Sequence, residues 1–193
     1  SSASGVPNAM MYEEILVDSS GASAEDNLGG VTINLIPKEG GNVFRGQFLT
    51  TFANGRMQGH NITAELRDAG LGTANGVKNI YDVNIGLGGP IKENKLWFFV
   101  TGRQTEANRY VGGLYLNANA GNARAFTYAP DTSQRAFTIN EWSVFDTRVT
   151  WQAAEKHKLN FSFDISANRT PATTSAVLSY EAASPGKQRF DTA

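Results

Sequence analysis

Two neighbouring segments between residues 145 and 165 alternate strictly between apolar and polar side chains. One parity comprises Phe145, Thr147, Val149 and Trp151 in the first segment and Leu159, Phe161, Phe163 and Ile165 in the second. Because side chains on a strand point alternately to two faces, the pattern predicts a β-hairpin with one apolar and one polar face. A half-buried sheet in a soluble protein gives this pattern, and so does a strand that spans a membrane. The fold therefore depends on what covers the apolar face.

Composition narrows the classes of function. The chain of 193 residues is one domain, or a small piece and a larger one, by its length. Its formal net charge of -1 gives no reason to expect a nucleic-acid partner. The absence of cysteine excludes disulfides, thiolate metal sites and a cysteine nucleophile. The two histidines, His60 and His157, lie far apart in the sequence, so we expect no enzyme, metal site or cofactor.

No segment resembles a spanning helix or a signal peptide. A spanning helix needs about 20 apolar residues in succession, and no run of that length occurs. The first residues lack a basic region followed by an apolar one, so a leader has been removed or the chain begins inside a longer protein. The low charged fraction of 18% and the 20 glycines favour strands and turns.

Alternation predicts further strands and an ordered series of connections. The predicted strands cover residues 13–17, 31–36, 43–53, 81–88, 95–104, 145–152 and 158–165, with one helical turn at 63–69. Long connections at 54–79, 107–142 and 168–193 alternate with short turns at 89–94 and 153–157. Such alternation is typical of an outer-membrane barrel with short periplasmic turns and long extracellular loops. On this interpretation Trp97, Phe98, Phe99 and Trp151 form an aromatic girdle at the periplasmic interface.

The junction of the second and third predicted strands carries a motif. Residues 29–46 read GGVTINLIPKEGGNVFRG. This stretch resembles the point at which the plug of a TonB-dependent outer-membrane receptor joins its barrel. Residues 88–99 (GGPIKENKLWFF) and the turn at 156–158 are similar to the first periplasmic turns of the Oar-type members, which carry an N-terminal carboxypeptidase-regulatory-like domain. The plug–barrel junction residues implied by the resemblance are Gly29, Gly30, Asn34, Gly40, Gly41 and Gly46.

The resemblance implies an all-β fold, an antiparallel transmembrane barrel of about 22 strands filled by a plug. Residues 1–42 would be the end of the plug, and residues 43–193 would supply about five of the first strands. It implies energised uptake of a siderophore, glycan or peptide across the bacterial outer membrane. The implied partners are the TonB complex, reached through an N-terminal region that this chain lacks, membrane lipid and the rest of the same barrel.

The sequence offers few candidate residues for contact with a ligand. Tyr110, Tyr115 and Tyr128 lie in the second long connection and could stack on a ligand, although packing between loops explains them equally well. Asp18, Glu25 and Asp26 offer oxygen ligands for calcium, with a solvated loop as the alternative. The predicted polar face mixes both signs of charge, as expected of side chains that hold a plug. It comprises Arg45, Gln47, Asp82, Asn84, Arg103, Asp146, Arg148, Asn160 and Asp164.

Two other functions fit the pattern. A soluble or cell-surface β-sandwich, acting as a lectin-like or adhesive module, would bury Leu159, Phe161, Phe163 and Ile165 against a second sheet. A barrel with a structural or adhesive role, rather than transport, would leave the same residues against lipid.

Overall fold

The computed structural model describes residues 8–18, 32–59, 61–170 and 186–192. Within these residues nearly all regular structure is antiparallel β-sheet, which confirms the all-β class. The strands form two sheets, one of two strands and one of seven. The helical elements are the five-residue α1 (Ala64–Asp68) and 3₁₀ turns at Ala9–Met11 and Gly55–Met57.

The small sheet lies at the N-terminus. Strands β1 (Tyr12–Asp18) and β2 (Thr32–Pro37) pair antiparallel, with Ile15 opposite Leu35. Both were predicted from their apolar and β-branched residues. Strand β2 ends at Pro37, whose ring nitrogen carries no hydrogen for further pairing.

The large sheet contains strands β3 to β9. Their bounds are β3 Arg45–Asn54, β4 Gly76–Lys92, β5 Leu96–Asn117, β6 Pro130–Thr138, β7 Glu141–Ala154, β8 His157–Thr170 and β9 Gly186–Thr192. The strand order is β3-β4-β5-β7-β8-β9, and β6 pairs with the far part of β5. The sheet is open, with β3 and β9 as its edge strands in the part of the chain that is described.

The hairpin of β7 and β8 matches the alternation in the sequence. Val149 lies opposite Phe161, and Trp151 lies opposite Leu159, so the apolar parities of both strands share a face. The turn holds Glu155 and Lys156 alone and is shorter than the predicted 153–157. The β4–β5 turn is also tighter than predicted, at residues 93–95. Asn94 takes a positive φ of 56° there, a conformation that asparagine tolerates better than most residues.

Two predicted long loops contain strands. Strand β5 continues to Asn117, and β6 and β7 pair in succession along its edge, Thr138 with Arg109 and Glu141 with Glu106. The irregular part of 107–142 is mainly residues 118–129. The predicted loop 168–193 likewise contains β9. Backbone pairing needs no apolar alternation, so a polar strand escapes a search for that pattern. The connection 55–75 is shorter than the predicted 54–79, because β4 begins at Gly76. Its helix α1, capped by the Thr63 hydroxyl, lies within the helical turn predicted at 63–69.

Candidate functional site

Burial in the large sheet is the reverse of that in a soluble protein. On β4, Val83, Ile85 and Leu87 are 37%, 55% and 43% exposed. The alternate residues, Asn84 with Gly86 and Gly88, are buried. The apolar side chains of this strand therefore face outward, and its polar and small residues face the rest of the chain.

Apolar side chains on one face continue across five strands. We call this surface the apolar band; Phe98 on β5 is half-buried, and the exposed members include Phe48, Phe52, Ile85, Phe145, Trp151, Leu159, Phe161 and Phe163. Phe161 is 59% exposed, and no second sheet covers it among the described residues. On β7 the band runs from Phe145 to Trp151, which at the rise of a strand is about 20 Å. Charged turns bound it at one end, and Gln104 with Ser143 begin a polar rim at the other.

The opposite face, here called the polar face, carries the N-terminal segment of the same chain. Asn8 donates through Nδ2 to the Thr101 hydroxyl (3.1 Å) and accepts through Oδ1 from Asn84 Nδ2 (2.7 Å). The Thr101 hydroxyl in turn donates to Asp146 Oδ2 (2.7 Å). All four residues are at least 94% buried, so this network excludes water and fixes the 3₁₀ turn on the sheet.

Two further residues of the N-terminal part, Tyr12 and Glu39, also contact the polar face. Tyr12 lies near Asp146 and Asp164; burial raises the pKa of its hydroxyl, and the two carboxylates raise it further. Glu39, just after β2, pairs with Arg148 (3.9 Å) and with Lys158. The polar face thus contacts residues that precede, begin and follow the two strands of the small sheet.

Asn42 attaches the junction to the β4–β5 turn. Its Oδ1 accepts from the backbone N–H of Asn94 (2.9 Å) and from Nε1 of Trp97 (2.7 Å). Its Nδ2 donates to Asn94 Oδ1 (2.6 Å). One side chain therefore joins the N-terminal part to the turn that connects two long strands.

These contacts correct the predicted aromatic girdle. Trp97 and Phe99 share the polar face, because they pair with Thr150 and Arg148. Of the three successive aromatic residues only Phe98 lies on the apolar side, where its ring contacts Phe44 with centroids 6.3 Å apart. Three consecutive strand residues cannot all point to one face.

The junction residues implied by the motif have different environments. A Cβ on Gly40 would overlap the Phe98 carbonyl and lie 2.9 Å from its nitrogen, so this position requires glycine. Gly41 has open space, and Gly46 has ordinary contacts. Asn34 is exposed on β2, opposite Leu16. Gly29 and Gly30 lie outside the described residues, so their role stays a prediction.

The tyrosines proposed as ligand contacts have partners within the chain. Tyr128 donates its hydroxyl to the carbonyl of Tyr115 (3.0 Å) and ties the turn after β5 to that strand. Tyr110 packs edge-on against Phe137, at a centroid distance of 6.4 Å, and beneath Arg135. Contact with a ligand stays a prediction for all three.

Clefts in the described part of the chain include one at each end of the sheet. The first, of about 720 Å³, lies between the junction and the polar face and is lined by charged residues that include Lys38, Glu39 and Arg45. The second, of about 500 Å³, lies at the opposite end of the strands, beside the 55–75 connection. The described residues contain no cluster of three metal-ligating side chains and no helix with the length and hydrophobicity to cross a membrane. The carboxylates considered for calcium lie outside the residues whose side chains are described.

Sequence reasoning missed Asn8, Glu39 and Asn42 as contact residues. Asn8 bonds to residues 76 and 93 positions away, and nothing in its neighbourhood marks it. Asn42 lies within the junction motif, which was a sequence signal for a contact role. Residues 38–42 were interpreted as a turn, and the turn alone accounted for an asparagine there. Arg103 and Asp82, both in the predicted polar set, form an ion pair of 2.7 Å.

Comparison with known proteins gives one modest similarity. No protein-family model and no solved structure matches the chain. The chain is 28% identical over 159 residues to a protein of Myxococcus xanthus named TonB-dependent transporter Oar. The match covers 76% of this chain but 14% of the relative, so the chain spans about a seventh of that protein's length. This chain is therefore similar to part of a TonB-dependent transporter, the family that its junction motif resembles.

Proposed function

We propose that this chain is part of a TonB-dependent transporter of the bacterial outer membrane. In this proposal β3 to β9 belong to the wall of the barrel, and residues up to Asn42 are the end of its plug. The reversed burial of the sheet carries the proposal. No second sheet among the described residues covers its apolar face, while its polar face binds the N-terminal segment through a buried network. A barrel wall needs this arrangement, with lipid outside and a wet, plugged interior.

The dimensions of the apolar band support a position in a bilayer. The band is about 20 Å long on β7, and the apolar belt of outer-membrane barrels is about 25 Å tall. In hydrocarbon each unpaired backbone group costs several kcal/mol, so the open edges at β3 and β9 need neighbouring strands. The rest of the same barrel would supply them, which agrees with the small share of the relative that this chain spans.

The work of the transporter would be energised uptake of a scarce nutrient such as a siderophore, glycan or peptide. An inner-membrane TonB complex would pull on the plug through a region N-terminal to this chain. The chain would supply no catalytic group, cofactor or nucleic-acid contact. Gly40 and Asn42 would fix the end of the plug to the wall, so that movement occurs further towards the N-terminus.

A soluble sandwich is the weaker alternative. It requires a second sheet over Leu159, Phe161 and Phe163, which are 44%, 59% and 40% exposed. A barrel with a structural or adhesive role keeps the same burial and differs in having no energised uptake.

Quenching by lipid tests the position of the sheet. The full-length protein, extracted from outer membranes with detergent, would be placed in vesicles of brominated phospholipid. Trp151 belongs to the apolar band, whereas Trp97 lies on the polar face. We expect Trp151→Phe to remove part of the bromine-sensitive fluorescence and Trp97→Phe, the matched control, to leave it unchanged. Equal effects of the two variants, or recovery of the protein without detergent, would contradict the proposal.

A further inference from the structure

The cleft at the far end of the strands has the size of a small-molecule site. We call it the outer-end cleft; it lies between the 55–75 connection, the start of β4, and Tyr110 and Arg135 on β5 and β6. Its volume of about 500 Å³ is within the range of about 300–1,000 Å³ usual for ligand pockets. The short turns and the junction lie at the other end of the sheet, so this cleft is separate from the contacts of Asn42.

The lining of the outer-end cleft is positively charged. It contains Arg67 and Arg135, three side-chain amides and one tyrosine, and none of its described lining residues is acidic. The ion pairs among described residues are made by Arg103, Arg148 and Lys158. The charges of Arg67 and Arg135 are therefore not neutralised by such a pair.

Arg135 is held in place before any ligand arrives. Its Nη2 donates to the carbonyl of Ala74 (2.8 Å), and its guanidinium lies 4.9 Å from the centre of the Tyr110 ring. A guanidinium fixed by stacking and a backbone bond loses little further entropy when it binds an anion.

We propose that the outer-end cleft binds a small carboxylate-bearing ligand, with Arg135 as its fixed partner and Arg67 as a second cation on the exposed helix α1. The planar guanidinium matches the two oxygens of a carboxylate. Side-chain amides of Gln58, Asn61 and Asn75 offer donors for the remaining polar groups of such a ligand. The proposal rests on the proposed function only for the direction of the cleft, which would open outside the cell.

Binding of a simple probe tests the charge preference. Tricarballylate and its neutral triamide would be titrated calorimetrically into the full-length protein in detergent. We expect the triamide to bind at least about tenfold more weakly, because hydrogen bonds to charged groups are stronger than neutral ones. Arg135→Gln should weaken tricarballylate binding about tenfold or more, and the more exposed Arg67→Gln by up to about fivefold.

Arg124→Gln is the matched control, because it removes the same charge from a turn residue that does not line the cleft. Arg67 is exposed, so its variant keeps the test valid if Arg135→Gln disturbs the 55–75 connection. Equal binding of acid and triamide, absence of acid binding, or equal losses in Arg67→Gln and Arg124→Gln would overturn the inference. These outcomes are separate from the lipid-quenching result, which tests the barrel itself.

Discussion

The two faces of the large sheet are built from the same strands but have opposite relations to the rest of the chain. On the apolar face, Phe161 and Ile85 are 59% and 55% exposed. On the polar face, Thr101 and Asp146 are 1% and 6% exposed beneath the N-terminal segment. In a soluble sheet the polar residues would be the exposed ones. The polar face is therefore the side of the sheet that the N-terminal segment covers, and no second sheet among the described residues covers the apolar face.

A charge placed on the apolar face should have the largest effect of any change that tests the difference between the two faces. Phe161→Arg in the full-length protein should lower the free energy of unfolding by about 2–4 kcal/mol, the cost of arginine near a bilayer midplane. On a water-exposed surface the same change would cost no more than about 0.5 kcal/mol. A urea titration in phospholipid vesicles measures the difference.

Ser162→Arg is the matched control, since it places the same charge one residue further, on the polar face. It lies opposite Arg148, so repulsion should cost about 1 kcal/mol or less. If Phe161→Arg and Ser162→Arg are equally costly, the two faces do not meet different solvents.

A smaller loss of stability is expected when threonine is replaced by valine at one position on each face. Thr101→Val removes the hydroxyl that joins Asn8 to Asp146 and leaves both buried groups without that partner, which should cost about 1–3 kcal/mol. Thr147→Val, on the apolar side opposite Phe163, should be neutral or slightly stabilising in lipid. The same titration checks both. Destabilisation by Thr147→Val as large as that by Thr101→Val would show that the network is not what binds the N-terminal segment.

The sequence predicted the strands that have an apolar face and missed those that do not. Alternation indicated β3, β4, β5, β7 and β8, because one face of each contacts a different environment from the other. Strand β6 is polar and pairs with β5 through register shifts, so no period marks it. The length of β5 was also missed, because residues 105–117 lose the alternation but continue to pair.

The candidate site was predictable in its chemistry and not in its contacts. The polar face was expected to mix charges and amides that hold a plug. Arg103 instead pairs with Asp82 on the neighbouring strand, whereas Asn84 and Arg148 contact Asn8 and Glu39 of the N-terminal part. Which residue of the N-terminal part would reach it was not predictable, since Asn8 contacts Thr101 across 93 positions. Such contacts depend on the path of the whole chain, whereas periodicity reports only local neighbours.

The smallest effect should come from the ion pairs at the edge of the polar face. Glu39→Gln removes the charge that faces Arg148 and Lys158, but Glu39 is 35% exposed and its pairs are accessible to water. Its loss should cost about 1 kcal/mol or less and should disappear in about 1 M salt, where exposed charges are screened. Titrations of wild type and variant at low and high salt measure this term. A loss above about 2 kcal/mol that persists in salt would be comparable to that of Thr101→Val. The attachment of the N-terminal segment would then depend on charge at its rim as much as on the buried network, and the contrast between the two faces would be one of charge rather than of burial.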